Sequence, residues 1–101
     1  MGKPDHRLLW SDEADEDLLS IWRYGADEWS PSTADEHLND IQNICQMLLD
    51  APELGKQRDE LIHGVRSVPL DPHVIFYRIT LRGVEILRIL HQREDIHEIF
   101  H

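Results

Sequence analysis

The chain has 101 residues, 41% of them apolar and 30% charged, and carries a formal net charge of −10. That length supports one domain with one modest core, and the composition is that of a globular protein. No apolar run approaches the ~18–20 residues that a membrane-spanning helix needs. The opening MGKPDHR lacks the apolar stretch of a signal peptide, and Cys45 is a lone cysteine, so no internal disulfide framework forms and a reducing cytoplasm is expected. The charge is uneven: residues 1–53 hold 13 acidic and 3 basic side chains, residues 54–101 seven of each. Proteins that grip many phosphates have a net basic footprint, so this balance argues against broad nucleic-acid binding, though it leaves a local arginine cluster open.

In chain order, Arg7 to Trp10 is short and apolar and predicts a first strand. Ser11 offers an N-cap, and Asp12 and Glu13 follow where the helix dipole favours negative charge. Ala14, Leu18, Ile21, Trp22, Gly25 and Trp29 then recur at helical spacing and predict one buried stripe, with Trp22 and Trp29 in the core. Ser30-Pro31 begins a second helix as cap and first residue. Its stripe is Ala34, Leu38, Ile41, Cys45, Leu48 and Leu49, which makes Cys45 a buried, inert thiol. Ala51-Pro52 ends it. The short link between the two helices predicts an antiparallel hairpin. Glu53 to Lys56 reads as a loop, and Gln57 to Gly64 gives no clear element.

Three extended segments follow: Val65–Leu70, His73–Leu81 and Val84–His91. They are rich in residues that fit a pleated surface. Asp71-Pro72 and Arg82-Gly83 separate them, so the neighbours must be antiparallel. Alternation puts Val74, Phe76, Arg78 and Thr80 on one face and Ile75, Tyr77, Ile79 and Leu81 on the other. In the last strand Val84, Ile86, Arg88 and Leu90 oppose Glu85, Leu87, Ile89 and His91. Both faces are substantially apolar, whereas a sheet with one wet face alternates more cleanly. Helices cover one face. The other needs a partner chain, a loop or the chain's own tail. The expected fold is α+β: an N-terminal strand, an antiparallel helical hairpin, then a three-stranded antiparallel sheet, in a single domain over 1–101 with flexible ends at 1–6 and 97–101.

Several segments, in this order, resemble one known group. They are Trp10-Ser11 with Asp17-Leu18 and Ile21-Trp22, APELGKQRDEL at 51–61, GVRS at 64–67, VIFYRI at 74–79 and VEILRILHQRED at 84–95. Together they span about residues 7–96 and resemble the ParE-type toxins of the RelE/ParE superfamily, from bacterial type II toxin–antitoxin systems. The resemblance implies the strand, hairpin and sheet just described. It also implies a cognate ParD-like antitoxin whose C-terminal segment wraps the toxin in a hetero-oligomer. ParE-like members convert DNA gyrase into a DNA-breaking complex. RelE-like members cut mRNA on the ribosome.

The two branches predict different sites. Metal-independent RNA cleavage needs groups that move protons and stabilise a phosphorane. Positions resembling that site are Lys56, Arg58, Arg66, Arg78 and His91, whose imidazole titrates near neutrality. No aromatic hydroxyl stands in the tail, where Phe100 lies, and the acidic balance suits ribosomal RNA poorly. The gyrase reading is therefore favoured, with no catalytic residues, no metal and no cofactor. A degenerate toxin that only binds its antitoxin is the third reading. On the favoured reading Arg66, Arg78, Arg88, His91 and Arg93 form the surface that faces antitoxin or target. Buried arginines there would need carboxylates, with Glu85 and Asp95 available. His97 and His101 have the spacing of helical zinc ligands, but a polar tail accounts for them equally well. Nothing in the chain reads as a DNA-reading helix.

Overall fold

A computed structural model describes residues 6–100; residues 1–5 and 101, parts of the two expected flexible ends, lie outside them. Strand β1 (Arg7–Trp10) leads into helices α1 (Asp12–Glu28) and α2 (Pro31–Asp50). Then come β2 (Lys56–Gln57), β3 (Val65–Leu70), β4 (His73–Thr80), β5 (Gly83–His91) and a short helix α3 (Ile96–Ile99). The sheet has five strands in the order β1-β5-β4-β3-β2. All pairs are antiparallel except β1 with β5, which run parallel from Arg7–Gly83 to Trp10–Ile86.

Both helices start as their sequences dictate. The Ser11 hydroxyl accepts from the Ala14 N–H at 3.0 Å, and the Ser30 hydroxyl from the Thr33 N–H at 3.1 Å. Each satisfies one of the N–H groups that a helix start leaves without a partner. The stripes bury Ala14 and Gly25 on α1, and Ala34, Ile41, Cys45 and Leu48 on α2. At Gly25 the helices meet closely: a Cβ there would lie 3.3 Å from that of Ala34. Trp22 and Trp29 depart from the expectation of core. Trp22 is half-buried and spans the hairpin, its indole N–H donating to Asp35 at 2.8 Å. Trp29 is 68% exposed, because it is the C-cap at the hairpin tip, beyond the point where α1 meets α2.

The main core lies between hairpin and sheet: Ala14, Ile41, Cys45 and Leu48 against Ile75, Tyr77, Val84, Ile86 and Ile89. Each large side chain buried there contributes about 1.5–3 kcal/mol. The strict alternation predicted for the last strand fails. Phe76 faces Arg88 and Tyr77 faces Ile86, so the pairing skips Leu87. This bulge turns Ile89 toward the helices and Leu87 and Leu90 outward.

The outer face has its own cover. Val65, Phe76, Leu90 and Phe100 form a second cluster, with Leu61, Val74, Leu87, Ile96 and Ile99 packed on it. The Phe76 and Phe100 rings sit 4.8 Å apart, and Asp95 caps α3 by accepting from the Glu98 N–H. Residues 97–100, expected as part of a loose end, thus close on the sheet; the tail covers much of the face for which a partner chain was considered.

Where β1 ends, α1 takes over its hydrogen bonding to β5. The Ser11 N–H donates to the Ile86 carbonyl at 3.0 Å, and the Ser11 hydroxyl donates to the Leu87 carbonyl at 2.7 Å. Asp17 accepts from the Ile89 N–H at 2.9 Å. The backbone groups freed by the bulge and the short edge strand are thereby paired.

Candidate functional site

The arginines and histidine singled out above fall into separate settings. Lys56 lies opposite Ser67, Ser67 opposite Phe76, and Arg78 opposite Val65, so Lys56 and Arg78 share the outer face. Arg58 joins them. Its guanidinium lies 5.6 Å from the Phe76 ring centre, donates to Glu60 at 2.8 Å and to the Ser67 hydroxyl at 3.1 Å. That contact holds the exposed Glu60 carboxyl below its ordinary range. Arg78 is exposed and donates to Glu85 at 2.7 Å, the carboxylate expected to be available.

Arg66 is paired with Tyr77 and so belongs to the opposite, helix-facing side. It is structural in its contacts. It donates to the carbonyls of Glu53 and Gly55 at 3.2 and 2.8 Å. Tyr77 locks the same turn, donating to the Pro52 carbonyl at 2.7 Å and accepting from the Gly55 N–H at 2.8 Å. A Cβ on Gly55 would collide with the phenol. The Pro-Glu-Leu-Gly stretch is a turn clamped by one tyrosine and one arginine. Burial is the main reason the Tyr77 hydroxyl titrates above its ordinary value.

Arg88 pairs not with Asp95 but with Asp17 of α1, through two hydrogen bonds of 2.9 Å each. This pairing raises its pKa further. His91 lies opposite His73 at the end of the sheet. Its Nδ1 accepts from the Arg93 N–H at 3.1 Å, in the exposed turn after β5. Of the five residues assigned to one contact surface, only Arg78 lies on the open part of the outer face. Of the five that would cut RNA, Lys56, Arg58 and Arg78 lie on one side of the sheet and Arg66 and His91 on the other.

Three features went unnoticed in the sequence. His37 of α2 and His73 of β4 face each other, Nε2 to Nδ1, at 3.1 Å, and His91 packs edge-on to His73. Burial, with His37 and His91 alongside, pushes His73 down to about 4. Tyr24, 62% exposed, stands edge-to-face with Trp29 at 5.9 Å. These side chains line a groove of about 540 Å³ at the hairpin tip. Neither histidine is marked in the sequence: His37 is off the stripe, and His73 only opens a strand. Among the described residues no group of His, Cys, Asp or Glu is arranged to hold a metal ion. Burial pushes the Cys45 thiol up to about 12, so it is inert as expected.

The architecture defines a class, a helical hairpin packed on a bulged five-stranded sheet with a clamped turn between them. A family model described as "ParE toxin of type II toxin-antitoxin system, parDE" matches residues 8–96. The chain is 33% identical over 91 residues to Toxin ParE1 of Mycobacterium tuberculosis, covering 89% of this chain and 93% of that one. It is 35% identical over 82 residues to Toxin ParE1 of Caulobacter vibrioides, covering 81% and 84%. A solved structure, "Chromosomal ParDE TA system from P. aeruginosa", superposes with a TM-score of 0.76 at 25% identity, covering 89% of this chain and 98% of that one. The chain belongs to the ParE toxin family of type II toxin–antitoxin systems.

Proposed function

We propose that this ParE-family toxin poisons DNA gyrase by binding it, in the cytoplasm, and is neutralised by a ParD-like antitoxin that wraps it. The observation that carries this reading is the scatter of the polar residues. General acid–base chemistry on a phosphate needs groups that converge within hydrogen-bond reach of one reacting atom. Arg66 and His91 lie across the sheet from Lys56, Arg58 and Arg78, and Arg66 turns its Nη1 onto the Glu53 and Gly55 carbonyls. A surface that binds needs no convergence. Arg78 and the apolar residues around it suit a contact with an acidic or apolar antitoxin segment.

The ribonuclease reading keeps one supporting observation: Lys56, Arg58 and Arg78 do share a face. Purified toxin mixed with gyrase, ATP and plasmid decides between them. Linear DNA that requires gyrase and disappears on adding the antitoxin supports the poison. No linear DNA, with codon-linked mRNA cutting in a translation extract, overturns it. Silence in both assays points to a degenerate toxin.

A further inference from the structure

The groove at the hairpin tip combines features that neither the fold nor the residues already discussed require. Its floor is apolar, built by Ile21, Gly25 and Ala34 where the helices meet. One wall is the corner made by the Tyr24 and Trp29 rings, both mostly exposed. His37, His73 and His91, packed side by side, form another wall. A 3.1 Å contact between two imidazole nitrogens requires one of them to be an unprotonated acceptor, so His37 and His73 are not both cationic.

The charge around it is predominantly acidic. Asp71 lines the groove directly. Glu28 lies one helical turn from Tyr24, Glu36 from Thr33 and Asp40 from His37. Helices α1 and α2 together hold eleven acidic side chains and a single basic one, Arg23. Arg93, in the turn after β5, is the other nearby cation, while Arg88 is neutralised by Asp17. An aromatic corner beneath an acidic rim is the chemistry that receives a guanidinium or ammonium on an aliphatic stem. The rings face the cation, and the apolar floor takes the stem.

We propose that this groove takes an arginine or lysine side chain from a cationic segment of the toxin's protein target, the rest of the segment lying along the acidic hairpin. The choice of target over antitoxin rests on the reading under Proposed function. An enzyme that handles DNA presents a cationic surface because it grips phosphates, and an acidic hairpin complements that surface.

The test needs no gyrase at first. A short amidated peptide rich in arginine is titrated calorimetrically into the full chain at low salt, beside the same peptide with glutamine at every arginine. The arginine peptide is expected to bind and the glutamine peptide not. Trp29→Ala and Tyr24→Ala should each weaken binding about tenfold, with the circular dichroism spectrum unchanged because both rings are exposed. Asp71→Asn should weaken it about threefold. Absence of binding, equal binding of the glutamine peptide, or full affinity in the Trp29→Ala, Tyr24→Ala double variant overturns the groove as a cation site. In the gyrase assay Trp29→Ala should then lose about tenfold in potency while its antitoxin affinity holds. A matching loss of antitoxin affinity would put the antitoxin in the groove and overturn the assignment. Failure of the gyrase reading is read separately, from wild-type toxin that makes no linear DNA.

Discussion

Asp17 joins the hairpin to the sheet through hydrogen bonds. It accepts two hydrogen bonds from Arg88 and one from the Ile89 backbone, and its side chain is 14% exposed. Asp17→Ala leaves a partly buried guanidinium and a strand N–H without partners, so it should cost about 3 kcal/mol. The urea midpoint would fall accordingly, with an unchanged slope. His73 gives a second residue-scale prediction. Its folded pKa of about 4 lies below the ordinary value of 6.5, so between those values the unfolded chain takes up a proton that the folded chain refuses. Stability is complete above about pH 6.5 and declines as pH falls towards 4, by about 2 kcal/mol after discounting for the solvent-exposed part of the ring. Urea midpoints measured across that window should slope for the wild type and flatten for His73→Gln. At this scale the sequence was legible where a rule is local. The Ser11 and Ser30 caps and the buried Cys45 could be read directly. The roles of Arg66 and Arg88 could not. Their partners are carbonyls of a turn 11 and 13 residues away and a carboxylate 71 residues away, which no spacing rule connects.

Helix α3 has only four residues, yet it and Phe100 cover much of the outer face. Phe100 is 8% exposed and packs its ring at a tilt against Phe76, which is fully buried beneath it. Phe100→Ala should cost about 3 kcal/mol, at the lower end for such a truncation because a terminal helix can settle inward. Binding of a hydrophobic dye to the opened face should rise in parallel. A variant with unchanged stability and no added dye binding would show that Phe76 is protected by other side chains. The helices and the three long strands were legible because their periods are strong and their ends are marked by Ser, Pro and Gly. The bulge at Leu87 was not: a skipped residue leaves the composition of a strand unaltered while reversing the faces beyond it. Trp29 misled for a related reason. It keeps the spacing of the stripe but caps the helix at the exposed hairpin tip.

The topology of the whole molecule rests on one long-range pairing. Among the described residues β1 forms its only ladder with β5, and the Ser11 hydroxyl reaches Leu87, 76 residues away. Sequence pattern predicts a strand at each place but not that they are neighbours, which is why the position of β1 in the sheet was illegible. The same pairing governs what happens as the chain emerges from the ribosome, N-terminus first. Until residues 83–89 have appeared, β1 has no neighbour, and Ser11 and Asp17 lack the strand groups they bind. The apolar stripes of α1 and α2 likewise lack Val84, Ile86 and Ile89, their core partners on β5. A nascent chain stalled before Gly83 should therefore be cut readily by protease, and resistance should arrive in a single step once β5 is free. Gradual gain of resistance while only the hairpin is out would contradict this. β1 and the hairpin thus wait for a strand that lies more than 70 residues further on, and the fold closes late and at once.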